Sequence, residues 1–321
     1  MSRRGLLAAA ACWAFARVGE AQTTWPTRPI TLIVPFAPAG IADITARTVA
    51  QAMARELGQA IVVDNRPGAG SVVASSAVAR AAPDGYTLLL MSNANAVSTG
   101  LFRKLPFDVV KAFAPITTLG FFDLGVFVAS DSRFRSLKDV VAYASTNPGR
   151  LTIATISVGS TQHLAAELFK TKAGIDALIV PYKGTPAVLQ ALRTGEVDVV
   201  FEILGPMLPQ LSVKAIRVLA VTSGKRYAGL PQVPTAMEAG VPDFAVASWN
   251  ALAAPAGTPH AVIARLNRAA AEAVAQPAVQ QRLQELGVRT QSGSPEQLES
   301  LLASEIERWG QVIRAAKIEP E

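Results

Sequence analysis

The sequence predicts an α/β fold built as two lobes, each a twisted sheet flanked by helices. Three observations carry this. Short β-branched runs alternate with helical segments from residue 30 onward, the pattern of parallel strands covered by helices on both faces. The alternation restarts near residue 125 without sequence repetition. The chain has 321 residues, 50% hydrophobic and 17% charged, which suits one large or two medium packed domains and argues against disorder. The lobes are assigned to residues 22–124 with about 246–321, and to about 125–245.

The opening unit reads as strand, tight loop and helix start. Residues 30–34 form a strand that Pro35, Pro38 and Gly40 stop. Asp43 then opens a helix over 44–57, with Ala46, Ala50, Met53 and Leu57 at helical spacing and Gly58 behind it. A strand over 60–64, a small-residue helix over 72–82 and a strand over 86–91 follow, the last ending in a loop, Ser92-Asn93-Ala94-Asn95. Residues 115–119 and 124–129 read as two further strands, and 137–145 as a helix.

In the second lobe, strands are expected at 151–155, 177–180, 197–201 and 216–222. Helices are expected at 162–171 and 186–193, entered through loops at 156–161 and 182–185. Residues 247–253 are strand-like. Two amphipathic helices finish the chain and are expected to cover a lobe and the hinge. One starts near His260 and places Ile263, Leu266, Ala270 and Val274 on one face. The other starts near Pro295 and aligns Leu298, Leu302, Ile306, Trp309 and Ile313.

Residues 1–21 read as an export signal: Arg3-Arg4, an apolar stretch to Phe15, then Gly19-Glu20-Ala21 with small residues at the −3 and −1 positions. The paired arginines fit either the general or the twin-arginine route. Cys12, the single cysteine, lies inside this signal, so the mature chain has no thiol chemistry. Ala9-Ala10-Ala11-Cys12 also faintly resembles a lipid-anchoring box. The net charge of +6 describes an ordinary basic surface rather than a nucleic-acid stripe.

Several chemistries have no sequence support. His163 and His260 stand far apart with no carboxylate at metal-ligand spacing. There is no Gly-x-Ser-x-Gly elbow and no Gly-Lys-Ser/Thr loop. Gly68-Ala69-Gly70 lacks the third glycine of a dinucleotide fingerprint, because Val73 takes its place. No cofactor is expected. What remains is a set of Gly/Ser/Thr-rich loops that each lead into a helix, at 35–43, 156–161 and 182–185. Such helix starts present free N–H groups and a positive dipole end, which suit carboxylates. In parallel sheets ligands sit at carboxyl strand ends. An exported hydrolase using Ser160 and His163 is the enzymatic alternative.

Taken in order, a series of motifs resembles the Bug family of extracytoplasmic solute receptors, which serve tripartite tricarboxylate transporters. The motifs are Trp25-Pro-Thr-Arg-Pro-Ile30, the opening loop with Asp43 and Arg47, Val63-Asp-Asn-Arg-Pro-Gly-Ala-Gly70, Ala82-Pro-Asp-Gly-Tyr-Thr-Leu88, Leu105-Pro-Phe-Asp108, His163-Leu164, Val180-Pro-Tyr-Lys-Gly184, Leu219-Ala-Val-Thr222, Pro231-Gln-Val-Pro-Thr235, and Ser248-Trp249 with Ala254-Pro-Ala-Gly-Thr-Pro259.

The resemblance implies a type II-like periplasmic-binding-protein fold that closes on a small organic carboxylate: di-, tri- or aromatic. It implies a periplasmic monomer that hands its ligand to an integral membrane permease, or presents it to a sensor kinase. It implies ligand contacts from Phe36, Ala39, Gly40, Asp43, Ser92 and Asn93 in one lobe. From the other come Thr155, Ser157, Gly159, Ser160, His163, Tyr182, Gly184, Thr185 and Glu202. For Asp43 the residue-level alternative is a helix N-cap. Three departures imply an altered or more apolar carboxylate. Ala39 stands where a glycine is usual, Ile156-Ser157 replaces Ala-Gly, and Glu202 replaces aspartate.

Overall fold

A computed structural model describes residues 25–320. The expected export signal and Cys12 lie outside the described residues. The chain runs β1 (Ile30–Val34), α1 (Ile41–Leu57), β2 (Ile61–Asn65), α2 (Val72–Ala79), β3 (Thr87–Ser92), α3 (Asn93–Leu101) and β4 (Phe113–Ala129). It continues through α4 (Leu137–Thr146), β5 (Leu151–Ile156), α5 (Thr161–Ala173), β6 (Ala177–Tyr182), α6 (Thr185–Arg193), β7 (Val199–Ile203), α7 (Leu204–Ser212) and β8 (Ile216–Val221). It ends with β9 (Ala247–Pro255), α8 (His260–Ala275), α9 (Pro277–Gln284), β10 (Val288–Thr290) and α10 (Pro295–Ala315).

The strands form a curled ten-stranded sheet in the order β2-β1-β3-β9-β4-β7-β5-β6, with β8 and β10 also paired to β4. Two parallel sets, β2-β1-β3 and β7-β5-β6, grow from βα units as expected. The sheet as a whole is mixed, which corrects the all-parallel expectation. β9 lies antiparallel to β3 and β4, and β7 and β8 lie antiparallel to β4, the strand that runs from one lobe into the other.

β4 is the pivot of the architecture. Its residues 113–123 pair with β9, and from Leu124 it pairs with β7 and then β8. The two separate strands expected here are one strand of 17 residues. Gly120 and Gly125 look like breaks in the sequence, but each is required by packing. A Cβ on Gly120 would come within 3.0 Å of the Arg289 carbonyl oxygen, and one on Gly125 within 2.6 Å of the Phe127 ring.

Each lobe has its own core, β1/α1/α8 in the first and β7/α6/α7 in the second. A further cluster continues across both and includes Trp249, Trp309 and the Phe169–Phe201–Phe244 aromatic group. Trp249 is fully buried there, consistent with packing near the lobe crossing. α10 spans 21 residues. Ser294 caps it with a bond from the Gln297 N–H, Pro295 occupies its first turn, and Leu298, Leu302, Trp309 and Ile313 are buried at the expected spacing. Each such side chain contributes about 1.5–3 kcal/mol by leaving water.

Candidate ligand cleft

In the first lobe the β1–α1 loop is organised by Asp43. Asp43 is neither loop nor N-cap. α1 begins at Ile41, Gly40 is its N-cap, and Asp43 sits in the first turn, 2% exposed. Its Oδ2 accepts the Ala39 N–H at 2.9 Å and Arg47 Nε at 3.0 Å, while Oδ1 accepts Asn65 Nδ2 at 2.8 Å. Asn65 Nδ2 also reaches the Phe36 carbonyl at 3.0 Å. Burial alone would raise the Asp43 carboxyl. The bonds from Arg47, Asn65 and Ala39, with the Arg47 charge, outweigh it and hold Asp43 below its ordinary range.

Ala39 adopts φ 65°, a left-handed conformation that favours glycine, and the Asp43 carboxylate fixes it there. Ser92 caps α3: its Oγ accepts the Ala94 N–H at 3.3 Å, and Asn95 Oδ1 accepts the Ser92 N–H at 2.9 Å. The residues read as a strand-end loop therefore start a helix, because Ser and Asn supply both halves of a reciprocal cap.

In the second lobe a buried carboxylate again gathers helix starts. Glu202 is 1% exposed. Its Oε1 accepts Gln162 Nε2 at 2.6 Å and the Ile203 N–H at 2.7 Å, and its Oε2 accepts Thr185 Oγ1 at 3.0 Å. These donors sit at the N-terminal ends of α5, α7 and α6. Burial raises the Glu202 carboxyl and the three donors only partly offset it.

The Ser157 N–H donates to the Tyr182 carbonyl at 3.0 Å, and Tyr182 Oη donates to Glu196 Oε1 at 2.7 Å. Burial and that acceptor push the Tyr182 phenol up to about 12. Gly184 caps α6 at φ 98°, which only glycine adopts readily. Thr155 Oγ1, at the end of β5, is buried without a partner among the described residues.

Ser160 is the N-cap of α5. Its Oγ accepts the His163 N–H at 3.1 Å and donates to the Ile156 carbonyl at 2.9 Å. His163 Nδ1 accepts the Gly159 N–H at 3.4 Å, and burial lowers the His163 imidazole, keeping it neutral. The Ser160 hydroxyl is therefore a capping group, and its bonds run to backbone rather than to the His163 ring.

The two lobes meet through helix starts. Asn93, the first residue of α3, donates from Nδ2 to Thr161 Oγ1, the first residue of α5, at 2.9 Å. Asn93 Oδ1 accepts Trp309 Nε1 at 2.7 Å. Gly159 abuts Leu101 of α3, and Gly205 in α7 lies against Ile41 of α1 and the Leu286 carbonyl. The loops at 36–40, 156–160 and 183–185 belong to the strand ends beside these contacts. The structure thus brings the candidates together as two intralobe networks, with Asn93 bonded across the lobes to Thr161, whose Oγ1 also lies 3.4 Å from Ser248 Oγ. No bond among the described residues joins the 36–40 loop to the second lobe, and cavities of about 520–720 Å³ lie elsewhere on the surface. Thr161, Gln162 and Ile41 are not among the site residues that the sequence suggests. A Ser-Thr-Gln run directly ahead of a helix was the available signal.

Two lobes on one shared strand, with helix starts of both facing a common boundary, define a periplasmic solute-binding protein. No helix among the described residues is long and apolar enough to cross a membrane. A family model described as "Tripartite tricarboxylate transporter family receptor" matches residues 45–318, and the chain belongs to this family. BugT of Bordetella pertussis is 36% identical over 293 residues, covering 91% of this chain and 90% of BugT. Rpa4515 of R. palustris, solved with adipate, superposes with TM-score 0.81 at 35% identity, covering 92% of this chain and all of that one. MatC from Rhodopseudomonas palustris, with bound malate, gives TM-score 0.76 at 33% identity, covering 90% and 100%. The family and these neighbours bind solutes. The chain is a receptor of the Bug type for tripartite tricarboxylate transport.

Proposed function

We propose that this receptor captures a small organic carboxylate (di-, tri- or aromatic) between its lobes in the periplasm and delivers it to the membrane permease of its transporter. The observation that carries this is the confrontation of α1 and α3 starts with α7 and α5 starts across one boundary. At each of these two approaches a pair of positive helix ends meets, and the first-turn amides of each have no partner within their own helix. The protein's own Asp43 and Glu202 carboxylates already settle at such positions, so the field suits anions.

In this reading the lobes are residues 22–124 with about 246–321, and about 125–245. The cleft is lined by backbone at Phe36, Ala39 and Gly40, by Thr155, Ser157 and Gly159, and by Gly184 with the Tyr182 ring. Asp43, Ser92, Asn93, Ser160, His163, Thr185 and Glu202 hold these loops in place. Two to four charge-assisted bonds at about 1.5–3 kcal/mol each, with lobe closure, reach about micromolar affinity. The adipate and malate bound in the two neighbours support the ligand class.

Thermal melting of the mature protein with adipate, malate, citrate and benzoate tests the proposal. A saturable rise in melting temperature is expected for at least one of them. Folded protein that melts identically with all four would overturn it.

A further inference from the structure

Asp123 sits where β4 passes from one lobe to the other. It is 3% exposed, and its Oδ1 has no hydrogen-bond partner among the described residues. Asp43 and Glu202, equally buried, are each saturated with donors. A buried carboxylate oxygen left open in this way is costly unless something else supplies a donor.

Asp123 faces a cavity of about 700 Å³ on the flank of the hinge. The same cavity is edged by cations. Arg289 holds Nη2 3.9 Å from Asp123 Oδ1, beyond hydrogen-bonding distance. It is fixed there by stacking on Phe121 and by donating to Gln291 Oε1 at 3.0 Å. Lys225, exposed, lines the same cavity. Burial pushes the Asp123 carboxyl up, with Arg289 and the Ser223 hydroxyl only partly countering it.

A simple cation would meet Arg289 and Lys225, and a simple anion would meet Asp123. The complementary guest carries both charges. We propose that this cavity is a second small-molecule site that takes a zwitterion of the amino-acid type, its ammonium on Asp123 and its carboxylate on Arg289 and Lys225. The walls come from different lobes. Tyr227 packs with the second-lobe core, while Gln284 and Arg289 belong to α9 and β10 of the first, and Tyr227 Oη donates to the Gln284 carbonyl at 3.1 Å. An occupant therefore favours the lobe arrangement seen here and couples to the cleft, reciprocally by linkage.

Titration calorimetry on the mature chain tests this with L-alanine and L-glutamine, and with propionate and ethylamine as the separate halves. Saturable binding of a zwitterion is expected. Asp123→Asn, isosteric and still able to pack, should weaken it about tenfold or more, and so should Arg289→Gln at the exposed wall. Carboxylate-induced melting shifts at the cleft should persist in Asp123→Asn, which separates this site from the cleft. The proposal is overturned if neither zwitterion binds the wild-type chain. It is equally overturned if both variants bind as the wild type does, or if propionate or ethylamine alone binds with the same dependence on Asp123.

Discussion

The Asn93 amide gives the sharpest test of how the lobes are joined. Its Nδ2 donates across the boundary to Thr161 Oγ1, and its Oδ1 accepts Trp309 Nε1. Replacing Asn93 by Ala removes both bonds. Trp309 Nε1 keeps a second acceptor, Glu305 Oε2 at 2.7 Å, and Thr161 Oγ1 keeps Ser248 Oγ at 3.4 Å, so neither group is orphaned. Each lost bond then costs its ordinary net worth of about 0.5–1.5 kcal/mol, together about 2 kcal/mol. Thr161→Val removes the bond to Asn93 together with the longer one to Ser248 Oγ. A double-mutant cycle of Asn93→Ala with Thr161→Val, read by denaturant unfolding, isolates that bond, and the expected coupling is about 1 kcal/mol. Coupling within about 0.3 kcal/mol of zero would refute the reasoning, since the bond would then carry nothing between the lobes. Small-angle scattering adds a second readout: the variants should populate a more open particle before ligand is added.

Two further outcomes follow from the loops. Ala39→Gly should stabilise the chain by about 0.5–1 kcal/mol, because glycine relieves the φ 65° conformation, less its greater freedom when unfolded; a lowered urea midpoint would count against this. Acid should weaken the fold in two stages. His163, lowered from 6.5, stays neutral when folded, so stability falls as pH drops below 6.5, where the unfolded chain takes the proton first. Asp43, lowered from 3.8, contributes stability that is present above 3.8 and lost as pH falls below it. His163→Gln should remove the first stage and Asp43→Asn the second, with Asp43→Asn also costing about 2 kcal/mol at neutral pH. Unfolding followed across pH separates the stages, and parallel profiles for wild type and both variants would contradict the assignment.

Much of this architecture could be read from local pattern. The strand and loop before Gly40, and the buried stripes of α8 and α10, follow from residue spacing alone. α3 and α7 escaped for chemical reasons. Asn93 and Asn95 suit a loop as well as a cap, and Gly205, Pro206 and Pro209 look like breakers. Yet Pro206, in the first turn, gives up only an N–H that has no helical partner, while Pro209 sits inside the helix. The continuity of β4 depends on what packs against Gly120, more than 160 residues further along the chain. The candidate loops were legible as helix starts. Their internal commitments were not, because Asn93 finds Trp309 at a separation of 216 residues and Gln162 finds Glu202 at 40.

The shared strand also limits how the jaws can travel. β4 is laced to β9 up to Asp123 and to β7 from Leu124, with no slack residue between the two ladders. Sliding one half past the other would tear both sets of rungs at once. Swinging about an axis through Asp123 and Leu124 leaves them intact. The chain recrosses beside this step, where the Thr222 N–H donates to the Leu124 carbonyl and the Val246 N–H to the Thr222 carbonyl, so the mouth opens about an axis through both crossings.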